Sequence, residues 1–196
     1  MSQRNSGRER MAFDLYETPA WVVDCLAQFV PLRFKTIWEP ACGSGKMVTA
    51  LTTHGAHVHA SDVTDHGCPR STVPLDFLSN ASSPLMHYDG IITNPPYGPR
   101  GTLADAFIRR GLERMRDYGF LALLLPIDFD SAGGRADVFD ECPCFAAKIV
   151  LRKRIKWFDG PASPSQNHAW FLWSNDMRPK ANAVILYAPK REVASA

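Results

Sequence analysis

Four consecutive residues, Asn94-Pro95-Pro96-Tyr97, combine side chains and backbone in a way that suits chemistry. Neither proline has a backbone N–H and both fix φ, so no strand or helix continues through them. Asn94, directly before a proline, is pushed toward an extended conformation. The apolar pair Ile91-Ile92 upstream reads as a short buried strand. The tetrapeptide is then a stiff loop at the carboxyl end of a strand, where an open parallel sheet keeps its ligand crevice. The Asn94 side-chain oxygen and the Pro95 carbonyl can both accept hydrogen bonds from one exocyclic amine, while the Tyr97 ring stacks on the planar group that bears it. Two acceptors on one amine direct the nitrogen lone pair at an electrophile, which favours the transition state. The competing reading of the same four residues is a Pro-Pro turn with a surface aromatic.

A second group stands upstream. Thr36 to Glu39 reads as a strand, Pro40-Ala41-Cys42-Gly43-Ser44-Gly45 as a turn of small residues, and Lys46 to about His54 as a helix. That order lets a ligand approach backbone amides at a helix N-terminus. The glycine spacing is not that of a phosphate loop, and the third glycine of a dinucleotide-binding turn is missing. His57 to Asp62 reads as a second strand ending in an acid. A carboxylate there can accept two ribose hydroxyls, or it can cap a turn or helix. Asp76-Phe77 suits an adenine amine and its ring, and equally a turn before a helix.

These groups need elements to hold them. Thr18 as N-cap and Pro19 as first helical residue predict a helix start, with Trp21, Val22, Cys25, Leu26 and Phe29 at helical spacing and a stop near Pro31. Leu103 to Met115 is a second amphipathic helix, with apolar residues at 103, 107, 108, 112 and 115. Gly119 to Leu125 is an apolar strand suited to the centre of a parallel sheet. Residues 127–146 read as a loop-rich insert placed to cover a site. Ala147 to Leu151, His168 to Trp173 and Ala183 to Tyr187 are further strands, the last at an edge. The alternation predicts an α/β fold with a mainly parallel sheet of about seven strands flanked by helices.

Composition narrows the class. A chain of 196 residues, 45% hydrophobic and 21% charged, suits one globular domain. Residues 1–12 read as a mobile basic arm and 13–190 as a single domain. No membrane span and no signal-peptide core are visible, so a cytoplasmic location is expected. Five cysteines read as reduced thiols; Cys142-Pro143-Cys144 lacks zinc-site spacing, and no metal is expected. Net charge is only +2, but Arg4, Arg8 and Arg10 cluster, as do Lys148, Arg152, Lys153, Arg154 and Lys156. The second cluster leads into Trp157-Phe158, so phosphate contacts and a stacking ring can come from one short segment. A solvated face is the alternative.

With Glu39-Pro-Ala-Cys-Gly-Ser-Gly45, the acid Asp62 and Asn94-Pro-Pro-Tyr97 in that order, the sequence resembles the class I S-adenosylmethionine-dependent methyltransferases. Within them it is most similar to the amino-methylating DNA enzymes, chiefly the adenine-N6 type of phages and prophages, over residues 14–175. The resemblance implies a Rossmann-like fold and S-adenosylmethionine as cofactor. It implies cofactor contacts from Tyr16, Thr18 and Pro19 at the methionine end, and from Glu39, Pro40, Ala41, Cys42, Gly43 and Gly45 in the loop. It further implies contacts from Asp62 to the ribose, from Asp76 and Phe77 to the adenine, and from Asn94. Catalysis is carried over to Asn94, Pro95, Pro96 and Tyr97, and the hold on a flipped base to Tyr97 with Trp157 or Phe158, backed by Arg154 and Lys156. The motif order is that of the gamma arrangement.

Relatives of that arrangement that recognise a sequence usually carry a large target-recognition domain after the catalytic part. No separate one is expected here, which leaves specificity to the 127–146 and 159–167 loops or to a partner. The implied partner is nucleic acid, DNA ahead of RNA, with no membrane. An RNA base-amine methyltransferase, a protein-glutamine methyltransferase and a non-catalytic nucleic-acid-binding homologue are the alternatives.

Overall fold

The computed structural model describes residues 16–80, 87–115, 119–157, 166–175 and 183–189. The basic arm at 1–12, Phe158 and most of the 159–167 loop lie outside the described residues. Strands β1 (Thr36–Glu39), β2 (His57–Ala60), β3 (Gly90–Thr93), β4 (Phe120–Pro126), β5 (Phe145–Val150), β6 (His168–Ser174) and β7 (Val184–Tyr187) form one sheet. Its order is β2-β1-β3-β4-β6-β5-β7. The β1–β2, β1–β3, β3–β4 and β5–β7 pairs are parallel, and β6 runs antiparallel to both β4 and β5. The carboxyl ends of β1 to β4 therefore share one edge, and the antiparallel β6 brings its first residue, His168, to the same edge opposite Pro126. That edge holds the site.

The central strands have no exposed face, so they are continuously apolar rather than alternating. Leu121 to Leu125 and Ala169 to Trp173 are all fully buried. Along β6, Trp170 and Leu172 pack on one side of the sheet, while Phe171 and Trp173 pack on the other. Buried indoles need an acceptor. Trp170 Nε1 donates to the Val22 carbonyl at 2.9 Å, and Trp173 Nε1 to the Val138 carbonyl at 2.6 Å.

Among the described residues, three α-helices pack on the sheet. The first, α1 (Ala20–Ala27), buries Val22, Val23, Cys25 and Leu26. It starts one residue later than expected and stops well before Pro31. Pro19 occupies the N-cap position in an extended conformation, and no side chain caps the helix. The Thr18 hydroxyl, expected as that cap, bonds instead to the Asn94 side chain. The second helix, α2 (Lys46–Thr53), follows the glycine turn as expected. The third, α3 (Thr102–Arg114), is where expected but turned relative to the apolar pattern: Ala104, Phe107, Ile108 and Gly111 are buried. A Cβ at residue 111 would sit 2.7 Å from Leu121, so only glycine lets α3 approach β4 this closely. Leu103, expected on the packed face, is 39% exposed.

The 127–146 insert is more ordered than a loop. Two 3₁₀ segments, Phe129–Ser131 and Gly133–Val138, anchor Phe129, Val138 and Phe139 in the core. Lys148 leaves the basic cluster. Its ammonium is held by both oxygens of Asp130 at 2.8 Å and lies over the Phe171 ring, so it does not join the exposed surface formed by Arg152, Lys153, Arg154 and Lys156. No helix among the described residues is long and apolar enough to cross a membrane.

Candidate active site

A cavity of about 510 Å³ opens at the carboxyl edge of β1, β2 and β3. That volume suits a small-molecule ligand. Its wall includes Tyr16, Thr18, Glu39, Pro40, Ala41, Cys42, Gly43, Asp62, Asp76, Phe77, Asn94 and Pro96. Residues from five separate stretches of the sequence thus meet around one space. Pro19, Gly45, Pro95 and Tyr97 are expected site residues that do not line it. Gly45 acts on the turn itself: its φ is +89°, and a Cβ there would lie 2.7 Å from Cys68 Sγ. A glycine is required on both counts.

Glu39, at the tip of β1, is the most unusual group in the cavity wall. Its Oε1 accepts from Thr93 Oγ1 at 2.6 Å and from the Ala41 N–H at 3.1 Å. Its Oε2 is buried without a hydrogen-bond partner. Burial pushes the carboxyl up to about 8; the bonds from Thr93 and Ala41 oppose the rise and the nearby Asp62 charge adds to it. A buried, unpartnered oxygen on a residue of the cavity wall suits a ligand bearing a donor or a cation, whose approach would favour the ionised form.

A pH dependence follows. The folded protein holds this proton more tightly than the unfolded chain, so the stability that Glu39 contributes is fully present below its ordinary value of 4.5 and is lost as pH rises through about 8. Glu39→Gln keeps the acceptor for Thr93 and Ala41 but cannot ionise. We expect the variant to gain on the wild type between pH 5 and 8, with a slope approaching ~1.4 kcal/mol per pH unit. Denaturant melts across that range test this, and a constant difference would mean that Glu39 ionises as an ordinary carboxylate.

Asp62 lies just beyond β2 and is 8% exposed. Its Oδ2 accepts from the Gly43 N–H at 2.9 Å and its Oδ1 from the Thr64 N–H at 3.2 Å. It therefore ties the glycine turn to the next loop, and each oxygen keeps a further acceptor position for hydroxyls in the cavity. At the far end, Asp76 Oδ1 caps a turn through the Leu78 N–H at 2.9 Å. Phe77 is almost fully buried, stacked on Phe107 at 4.9 Å and edge-on to Trp38 at 5.0 Å. Leu78, Leu103 and Phe107 complete this apolar end, which explains the exposure of Leu103.

Glu17 and Ser44 were not singled out by sequence reasoning, although they sit inside the segments that were. The Glu17 carboxylate bonds to Ser44 Oγ and pairs with Lys46 Nζ at 2.5 Å. The bonds from Lys46 and then Ser44 hold its carboxyl below the ordinary range. This ties the 16–19 segment to the glycine turn.

The tetrapeptide faces the same segment. Asn94 Nδ2 donates to the Tyr16 carbonyl at 3.0 Å and to Thr18 Oγ1 at 3.2 Å. The Tyr97 hydroxyl lies 3.3 Å from both Asn94 Oδ1 and the Leu124 carbonyl. Beyond Tyr97 runs a line of rings: His168 at 6.4 Å, then Trp157 at 5.2 Å from His168, then Tyr16 at 5.5 Å from Trp157. Trp157 is thus related to Tyr97 through His168, an intervening ring that sequence reasoning missed. Burial pushes the His168 imidazole down to about 4, so it is neutral near pH 7, and its Nδ1 has no hydrogen-bond partner. Its only signal was a histidine opening an otherwise apolar strand.

Arg154 and Lys156 are exposed on either side of the buried Ile155, just before Trp157. Arg154 Nε bonds to Asn167 Oδ1 at 2.9 Å, and Lys153 lies over the Trp21 ring at 5.2 Å.

The sequence matches no protein-family model, and comparison with curated proteins finds no match either. Similar solved structures do exist. A protein described as a modification subunit of a type I restriction enzyme from Vibrio vulnificus YJ016 superposes with a TM-score of 0.65 at 14% identity, covering 91% of this chain and 48% of that one. The EcoKI type I restriction M protein gives 0.62 at 13%, covering 88% and 48%. A protein described as a class I S-adenosylmethionine-dependent methyltransferase from Listeria monocytogenes gives 0.57 at 20%, covering 86% and 62%. The fold is that of the class I S-adenosylmethionine-dependent methyltransferases. The chain spans about half to three fifths of the length of these neighbours.

Proposed function

We propose that this chain transfers a methyl group from S-adenosylmethionine to the exocyclic amine of a nucleic-acid base, with adenine N6 in DNA as the preferred target. The observation that carries the proposal is the Asn94 amide, whose donors are both engaged by the 16–19 segment at the edge of a ligand-sized cavity. Its oxygen accepts from the Tyr97 hydroxyl at 3.3 Å and keeps a second acceptor position for a substrate amine. The structural neighbours support the class: two are type I restriction modification proteins, and a third is a 16S rRNA methyltransferase from T. thermophilus solved with AdoMet and guanosine.

The residues present fit the cofactor. Tyr16, Glu39 and the 40–45 turn would hold its methionine end, the orphaned Glu39 oxygen suiting an amine, while the Thr18 hydroxyl in the same wall is already bonded to Asn94. Asp62 would take the ribose hydroxyls, and Asp76 with Phe77 the adenine. S-adenosylmethionine supplies an electrophilic methyl group on a sulfonium, so the protein's task is alignment and polarisation. Asn94 Oδ1 and the Pro95 carbonyl hold the amine hydrogens and turn the nitrogen lone pair toward the methyl. The nitrogen becomes acidic only as it gains the methyl group, so a neutral amide suffices without a general base. The neutral thioether would leave with the electron pair of the broken S–C bond, and the surplus proton would pass from the methylated nitrogen to solvent. A base inside a duplex cannot reach this edge, so it must be flipped out, with Tyr97 and Trp157 supplying aromatic surface. Stacking of that kind contributes roughly 1–3 kcal/mol per base, comparable to the unstacking cost.

Incubation with labelled S-adenosylmethionine and DNA, RNA or protein, followed by mass spectrometry of the product, tests the proposal. Methylated adenine in DNA is the expected result. A methylated RNA base would keep the reaction and change the polymer. Methylated glutamine, or no transfer at all, would overturn the reading.

A further inference from the structure

We infer that Thr18, together with the Tyr16 carbonyl, sets the orientation of the Asn94 amide and so acts as a positioning residue for methyl transfer. The inference rests on the function proposed above. A primary amide can present either its oxygen or its NH2 to a substrate. For an amine substrate only the oxygen is productive, because an N–H would face the amine's own N–H. Something must therefore select one of two rotamers that differ little in shape.

The 16–19 segment makes that selection. The Tyr16 carbonyl has no hydrogen to give, so at 3.0 Å it tolerates only Nδ2. Thr18 Oγ1 takes the second Nδ2 proton at 3.2 Å. The reversed amide would place Oδ1 against the Tyr16 carbonyl oxygen, which no proton can relieve; the Thr18 hydroxyl, able to donate as well as accept, then holds the amide in the orientation that the carbonyl selects. Thr18 is 3% exposed, and a hydroxyl buried this deeply is costly unless it is bonded. It does not cap α1, although its position before Pro19 would suit that task. The hydroxyl is committed to Asn94, a residue 76 positions away in the chain.

The segment is itself held from two sides. Glu17 fastens it to Ser44 and Lys46 on the glycine turn. The Tyr16 ring packs edge-on against Trp157. Thr18 therefore presents its oxygen from a fixed frame, and losing it leaves one Nδ2 proton without an acceptor and the amide held by the Tyr16 carbonyl alone.

The test uses Thr18→Val, which keeps the shape and removes the hydroxyl, and Thr18→Ser, which restores it. Methyl transfer at saturating cofactor should fall ~10-fold in Thr18→Val, as expected for one lost hydrogen bond at a reacting group, and recover most of the loss in Thr18→Ser. The cofactor Kd, measured by calorimetry, should stay within about threefold of wild type. The Asn94 Nδ2 proton signals in a ¹⁵N-edited NMR spectrum should shift in the valine variant and return in the serine one. Wild-type transfer by Thr18→Val, or a loss confined to cofactor affinity, would overturn the inference. If Thr18→Val does not fold, Thr18→Ala is judged by the same measures. Should the wild-type protein methylate no nucleic acid, the proposed function fails, while the Asn94 signals still decide the inference: unmoved resonances in the variant refute it.

Discussion

Asn94→Ala is expected to lower methyl transfer by ~100-fold or more, the scale seen when one preorganised polar contact to a developing charge is removed. The substitution deletes the acceptor for the substrate amine. It also frees the Tyr16 carbonyl and Thr18 hydroxyl, which now bond to Nδ2. Binding and chemistry should separate: cofactor affinity should stay within about threefold, because most of the cavity wall is contributed by other residues. Asn94→Asp distinguishes polarity from orientation. It keeps an acceptor but sets a carboxylate against the Tyr16 carbonyl oxygen, so it should be nearly as impaired as alanine. Single-turnover rates with saturating cofactor, alongside calorimetric Kd values, give both numbers. Wild-type turnover in Asn94→Ala would remove Asn94 from catalysis.

Much of the framework was legible because its signals are local. The strand ending at Glu39, the glycine turn and α2 follow from propensity and from the missing Cβ at Gly45. The two prolines after Asn94 end β3 whatever surrounds them. β4 and β6 announced themselves by unbroken apolar runs, which only a strand buried on both faces can carry. The errors have one origin, which is competition from distant partners. Thr18 has the residue type and position of a helix cap, yet Asn94 takes its hydroxyl from across the fold. Leu103 matches the helical period of α3, yet Gly111 lets the helix press on Leu121 with a different face, and Leu103 is left at the cavity mouth. Lys148 looks basic and exposed in a charge run, yet Asp130 and Phe171 draw it down. His168 carried almost no signal, since a lone histidine at a strand end has no period and no motif. Its place among the rings of Tyr97 and Trp157 exists only once β6 is laid antiparallel against β4.

The basic stretch before Trp157 yields the second large effect, a steep dependence of nucleic-acid affinity on salt. Arg152, Lys153, Arg154 and Lys156 are exposed, while Ile155 anchors the stretch in the core. Four cations that each displace a condensed counterion give a log–log slope of about −3.6, so affinity should drop roughly 100-fold between 50 and 200 mM salt. Arg154→Gln with Lys156→Gln should make that slope shallower by about 2 and weaken binding to unrelated duplexes about equally, because phosphates carry no sequence information. Trp157→Ala should behave differently. Its ring sits edge-on to Tyr16 and His168 beside the tetrapeptide, so its loss should lower turnover more than duplex affinity. Fluorescence anisotropy on several unrelated duplexes across the salt range separates the two behaviours. A flat salt response, or an unchanged slope in the doubly neutralised variant, would make the stretch an ordinary solvated strand end and shift the substrate from a polyanion to a small molecule or a protein amide.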